Sequence, residues 1–216
     1  MGKEAKKSRL TMPPAEGVLL HACCAPCSAA IVEWQMAHEI RPVIYYYNPN
    51  IYPREEYEKR RDESRRHAEK LGLEWIEGEY DHEKWKAAVA GHEGDPERGD
   101  RCQLCFNMRM IASAEMAKKT GRGCIATTLA SSRWKRQDQI DKAGEMAQKL
   151  TGVEYWGQNW RIEGLTERRA ALLRENGFYN QLYCGCEYSM RGVEEKGTKD
   201  NEGKKDGETE GEKEGE

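Results

Sequence analysis

Four short apolar runs, each separated from the next by a stretch with helical spacing, dominate the pattern of this chain. The run VLLHA (18–22) reads as a strand and is followed by a helix from about residue 29 to 38. RPVIYYY (41–47) reads as a second strand. A helix over 54–71 places Tyr57, Ser64, Ala68 and Leu71 on one side and stops at Gly72. A short alternating strand, LEWIE (73–77), comes next. A short helix near 83–90 leads into the polar loop GHEGDPERGDR (91–101), and a helix over 102–119 ends at Gly121. GCIATTL (123–129) supplies the fourth strand, and two helices follow near 136–150 and 165–176. Strands separated by helices predict an α/β fold, a parallel sheet with helices on both faces. In such sheets ligands gather at the carboxyl ends of the strands.

The ends of the chain carry no such pattern. Residues 1–14 mix Lys, Ser and Pro. Residues 191–216 carry ten acidic and six basic side chains and almost no apolar surface after Val193. Such composition buries too little to offset its ordering entropy, so both ends are expected to be disordered around one unit spanning 15–190. The formal net charge of -3 resides in the second of these tails, which leaves a near-neutral body. Contact with a polyanion would therefore rely on local patches. No run approaches the roughly 20 apolar residues of a membrane helix, and no apolar signal segment follows the Lys-rich start. A cytoplasmic location without a membrane partner is expected.

The eight cysteines change the picture, because seven of them fall into three tight groups. In an intracellular setting such grouping points to metal or redox work rather than structural disulfides. HACCAPC (21–27) follows the first strand directly. Adjacent Cys23 and Cys24 point in different directions, which suits a polynuclear site or two neighbouring sites better than a tetrahedral zinc knuckle, while Pro26 stiffens the turn and Cys27 follows it. CQLC places Cys102 and Cys105 on one face of a helix start, where thiolates are favoured; a metal ligand pair and a redox or structural pair both fit. YCGC separates Cys184 and Cys186 by Gly185, a spacing that ligates metal or closes into an easily reduced disulfide. Cys124, inside a predicted strand, reads as core. Six or seven thiols exceed the four that one zinc or one iron–sulfur cluster needs.

The motifs LLHACCAPCS (19–28), YYYNPNIYPREEYEKR (45–60), EYDHEKW (79–85), RCQLCFNMRM (101–110), TTLASSRWK (127–135) and QLYCGCEYS (181–189) resemble those of the QueH-type epoxyqueuosine reductases over roughly residues 18–190. The resemblance implies an oxidoreductase with a fold similar to the adenine nucleotide α-hydrolase-like (HUP) group, its iron–sulfur reductase domain spanning 15–190. The implied reaction reduces epoxyqueuosine to queuosine at the wobble position of tRNA, the last step of queuosine biosynthesis. It also implies a [4Fe-4S] cluster, an additional iron ion, no cobalamin, and an external electron donor. By motif, Cys23, Cys24, Cys102 and Cys105 would hold the cluster. Cys184 and Cys186 would be the catalytic redox pair or bind the second iron, and Cys27 would be a further metal ligand. The segment GQNWRIEGLTERRA (157–170) departs from the family in having Asn159 where an acid is expected, before Trp160 and Arg161.

Removing an epoxide oxygen as water takes two electrons and two protons. His21, Tyr183 or water could protonate the oxygen, although His21 reads more simply as a hydrogen-bonded core residue. A flipped anticodon-loop base would be held by stacking and by cations, with Tyr45, Tyr46, Tyr47, Arg60, Arg61, Arg133, Trp134, Lys135 and Arg136 as candidates. Of these, Arg133–Arg136 follows a strand's carboxyl end and is the best placed. Two other classes compete, a zinc-stabilised RNA-binding module and an ATP-dependent tRNA-thiolation enzyme. The second needs a glycine-rich anion nest after the first strand, where this chain has HACCAPC instead.

Overall fold

The computed structural model describes residues 9–181 and 183–189. The expected tail over 191–216 and residues 1–8 lie outside the described residues. Residues 9–14 were grouped with the disordered N-terminal end, but the structure anchors this stretch at two points. Leu10 is buried and its amide donates to Glu163 Oε1 at 2.8 Å, while the Thr11 carbonyl accepts from Trp156 Nε1 at 3.1 Å. One apolar side chain with satisfied backbone partners outweighs the polar average of its neighbours.

The chain folds as an α/β unit around a five-stranded parallel sheet. Its strands are β1 (Val18–His21), β2 (Val43–Tyr46), β3 (Trp75–Glu77), β4 (Cys124–Thr127) and β5 (Glu154–Tyr155), in the order β3-β2-β1-β4-β5. Around them lie α1 (Ala25–Ala37), α2 (Arg54–Lys70), α3 (His82–Ala88), α4 (Asp100–Lys119), α5 (Gln137–Thr151) and α6 (Leu165–Glu175). The three central strands are buried along their whole length, as apolar runs covered on both faces must be. Alternation in β2 shows both layers. Tyr46 packs on Tyr57 of α2, with ring centroids 5.3 Å apart. Tyr45 and Tyr47 point the other way, stacked 5.9 Å apart on the side of α4.

Three elements differ from the sequence reading. Helix α1 begins at Ala25, four residues earlier than expected, because Pro26 in its first turn is pre-set for a helix start and Cys24 serves as N-cap. Strand β4 ends at Thr127, where a 3-10 turn (Thr128–Ser131) takes over. The two-residue strand β5 was not anticipated; Trp156 N donates to Ile125 O at 2.8 Å and completes its pairing with β4.

This topology fixes where a site can form. β1 lies between β2 and β4, with the register Leu19↔Val43 on one side and Leu19↔Ile125 on the other. The connections leaving β1 and β4 part at their carboxyl ends and leave a crevice there. The segment 22–27 leaves β1 at this rim, and the turn 128–131 leaves β4 beside it. Among the described residues no helix is long and apolar enough to cross a membrane.

Candidate metal centre

Cys23, Cys24 and Cys27 meet at this crevice, with their three sulfurs all within 4.8 Å of one another. Cys24 has the extended backbone of an N-cap residue, and Cys27 follows on the first turn of α1, so the helix start turns both thiols back towards Cys23. Thr128, the first residue of the turn after β4, locks Cys23. Its Oγ1 accepts from the Cys23 amide at 3.1 Å and donates to the Cys23 sulfur at 3.3 Å. Hydrogen bonds from Cys24 and Cys27 hold the Cys23 thiol well below its usual range, whereas burial holds Cys24 well above it. One thiolate among three close thiols is a donor set suited to a soft metal or a cluster.

The other two cysteine groups lie outside this close group of three and form a second set, so Cys102 and Cys105 are not gathered with Cys23 and Cys24 within the same 4.8 Å. Cys105 and Cys186 pack together in a buried pocket walled by Trp85 and Val89. Cys102 stands one turn before Cys105 on α4, and Cys184 is exposed. Cys102, Cys105 and Cys186 each lie within electrostatic reach of Cys184. Burial pushes Cys102 up to about 11 and Cys186 up to about 12, so neither ionises readily without a cation. Cys124 stands apart in β4, fully buried with its thiol on the Ala15 carbonyl, as the sequence reading of a core cysteine expected.

Cations surround both sets. Lys135, a residue of intermediate exposure, turns its ammonium towards Cys184, Cys23 and Cys27 together. Arg169 of α6 hydrogen-bonds Cys27 and also faces Cys24 and Cys23. Buried Arg109 of α4 lies against Cys105 and donates to Asn48 Oδ1, and Asn48 in turn donates to the Ala22 carbonyl at 3.0 Å. Buried Arg101 donates to the carbonyls of His92, Glu93 and Asp95, which ties the polar loop to the start of α4 that carries Cys102. Arg109 was legible in principle, because it stands four residues after Cys105 and so shares its helix face. Arg169 had no such signal, since only the packing of α6 on α1 brings it here.

His21 is the hydrogen-bonded core residue that the sequence leads one to expect, and several other candidate roles change. His21 is fully buried; its Nε2 donates to the Tyr47 carbonyl at 3.1 Å and its Nδ1 accepts from Thr127 Oγ1 at 2.8 Å. Burial, reinforced by Arg109, pulls its pKa down to about 3, so it is a neutral core residue. The Tyr183 hydroxyl donates to the Tyr52 carbonyl, and burial pushes it up to about 12. Tyr45, Tyr46 and Tyr47 are buried between sheet and helices and offer no face to a nucleobase. Arg60 is buried as well, and Arg61 pairs with Asp62 at 2.8 Å. Asp81 caps α3 through the Lys84 amide at 2.9 Å, which steadies the helix that carries Trp85. At the departure from the family pattern, Asn159 Oδ1 accepts from Arg161 Nε at 3.1 Å. Arg161 Nη1 reaches the Ser132 carbonyl at 3.4 Å, so this segment braces the loop before Arg133.

Comparison with known proteins identifies relatives of this chain. The family described as "Epoxyqueuosine reductase QueH" matches residues 18–192. Curated relatives named "Epoxyqueuosine reductase QueH" include one from Haemophilus influenzae, 43% identical over 187 residues that make up 86% of this chain and 76% of that protein. One from Acinetobacter baylyi is 40% identical, covering 85% of each chain. One from Thermotoga maritima is 34% identical over 80% of this chain and 90% of its own length. With the match spanning all three thiol groups and the cations around them, the chain belongs to the QueH family of epoxyqueuosine reductases.

Proposed function

We propose that this chain reduces epoxyqueuosine to queuosine at the wobble position of tRNA, on a scaffold of the adenine nucleotide α-hydrolase kind. The reading rests chiefly on one observation, the meeting of three thiols at the carboxyl rim of the sheet, with Lys135 facing both this group and Cys184 of a second cysteine set. The donor chemistry fits iron, since soft thiols ringed by Lys135, Arg109 and Arg169 suit a centre whose thiolate ligands carry excess negative charge. Cys23, Cys24, Cys102 and Cys105 would hold a [4Fe-4S] cluster. Cys184 and Cys186 would act as a redox pair or hold a second iron, with Cys27 in reach of the same centre. Such a centre supplies electrons and Lewis acidity to the epoxide oxygen.

The chain's own residues do the rest. With His21 and Tyr183 committed to bonds within the fold, Lys135 is the remaining cation facing the thiols whose ammonium has no hydrogen-bond partner among the described residues. It is placed to stabilise negative charge on the departing oxygen and to hand it a proton. The net change consumes two electrons and two protons, and an external donor of unspecified class supplies the electrons. The cytoplasm, where tRNA is modified, is the expected compartment.

Trp134 is 62% exposed beside Lys135, with Arg133 4.8 Å above its ring, and its carbonyl accepts from Arg98. An exposed indole next to a reaction centre suits stacking on an extruded base, and such stacking is worth ~1–3 kcal/mol. Trp134→Ala is therefore expected to raise KM for the tRNA about tenfold and to leave kcat within a factor of about two. An unchanged KM in steady-state assays would remove Trp134 from the interface.

The test of the whole reading is anaerobic purification with iron and sulfide analysis, followed by assay on epoxyqueuosine-containing tRNA with a strong reductant. Zinc in place of iron, with no absorbance near 400 nm and no turnover, would favour the RNA-binding module instead. In the same assay Cys184→Ser should abolish turnover and keep most of the cluster absorbance. Near-normal activity would take the Cys184/Cys186 pair out of the mechanism.

A further inference from the structure

Arg60 has an environment that no RNA contact would need. It lies on the inner face of α2, with only 4% of its side chain exposed. Its Nε donates to Glu56 Oε1 at 2.6 Å, one turn earlier on the same helix. Its Nη1 donates to the Cys184 carbonyl at 3.3 Å and its Nη2 to the Tyr183 carbonyl at 3.2 Å. Glu56 is itself held, because its second oxygen accepts from the Tyr179 hydroxyl at 3.1 Å. The next carbonyl, that of Gly185, accepts from the Tyr52 amide at 2.8 Å, and Cys186 bridges Ile51.

Three consecutive carbonyls are thus fixed across the turn that carries the thiol pair, two of them by one guanidinium. Gly185 has φ +99, and a Cβ at this position would lie 2.9 Å from Arg60 Nη1 and 3.0 Å from Ile51 Cγ1. Only glycine fits against the clamp. The outcome is asymmetric, with Cys184 exposed and Cys186 sealed beside Cys105, Trp85 and Val89. The same guanidinium charge also reaches Cys24 and Cys23.

We propose that Arg60, braced by Glu56, is a positioning residue that holds the Cys184–Gly185–Cys186 turn with one thiol open and the other sealed. The proposal draws on the reductase reading only for the consequence that turnover depends on this asymmetry. Planar, forked donation to two carbonyls and a carboxylate is within the reach of Arg and beyond that of Lys. A role of charge alone would be met by either residue.

The test is anaerobic alkylation of the full chain with iodoacetamide, with each cysteine followed by peptide mass spectrometry. In the unsubstituted chain Cys184 should label quickly and Cys186 slowly, with core Cys124 as internal reference. Arg60→Lys should raise the Cys186 rate about tenfold, the factor expected when one or two hydrogen bonds are lost, while Cys124 stays unchanged. Glu56→Gln keeps an acceptor and removes the charge; it should give a smaller rise of about threefold, and it serves as the second variant if Arg60→Lys does not fold. Steady-state assays should show kcat lowered and KM for tRNA unchanged in Arg60→Lys. An unchanged Cys186 rate in the variants that fold would overturn the proposal, as would a parallel rise at Cys124, which signals general loosening. Labelling needs no substrate, so its outcome stands whether or not the chain reduces epoxyqueuosine.

Discussion

Cys24→Ser is expected to remove most of the bound iron and to lower turnover below about 1%, whereas Cys124→Ser should leave both near their original values. The two side chains are equally buried small thiols, so burial does not separate them. Their neighbours do. Cys24 has two further sulfurs within 4.8 Å and Arg60 and Arg169 facing it, while Cys124 meets only the Ala15 carbonyl inside β4. A serine hydroxyl is a poor ligand for a soft metal and ionises far less readily than a thiol. At Cys124 the same substitution changes one buried polar contact, at about 1–2 kcal/mol of stability. Iron analysis of both variants together with their thermal midpoints decides the matter, and iron lost equally from both would mean that the thiol cluster is not a metal centre.

The second large effect is expected at Arg109. Arg109→Leu removes a buried donor from Asn48, whose own bond to the Ala22 carbonyl fixes the chain just before Cys23. Losing a hydrogen bond to a charged group costs ~1.5–3 kcal/mol, enough to lower a urea midpoint by about 1 M for a domain of this size. The loss of charge acts separately, because Cys105 is left without the cation that favours its thiolate. Iron content should therefore fall further than stability alone predicts. Arg109→Lys keeps the charge and loses the reach to Asn48, so it should retain more iron than Arg109→Leu at similar stability. Equal iron loss in the two variants would show that Arg109 acts through the fold alone.

Much of this was legible from residue order, and the exceptions share a cause. The β1, β2 and β4 runs are strongly apolar because both of their faces are covered, and they were read within a residue or two. β5 escaped because two residues carry no periodicity. The start of α1 is masked in the sequence because Cys24 and Cys27 signal ligands more strongly than an N-cap and first turn. The three thiol groups were found because their spacing is local. What they meet was hidden, because Arg60, Arg169 and Trp85 arrive from other helices and their sequence neighbours give no sign of it. Tyr45–Tyr47 read as a strand and as candidates for base stacking at once, because aromatic residues next to one another in sequence look alike whether covered or open, and the covering helices α2 and α4 begin only at Arg54 and Asp100.

The pairing Val18↔Cys124 also has a consequence in time. During synthesis β1 must wait for β4, more than 100 residues later, and HACCAPC precedes YCGC by about 160 residues. At ~5–20 residues per second the first thiols are made roughly 8–30 s before the last ones, and throughout that interval the rim of the sheet is unfinished. Iron delivered to the nascent chain would meet a partial ligand set, and oxidant would meet unguarded neighbours. Loading is therefore expected to be post-translational, with a reducing environment as its precondition.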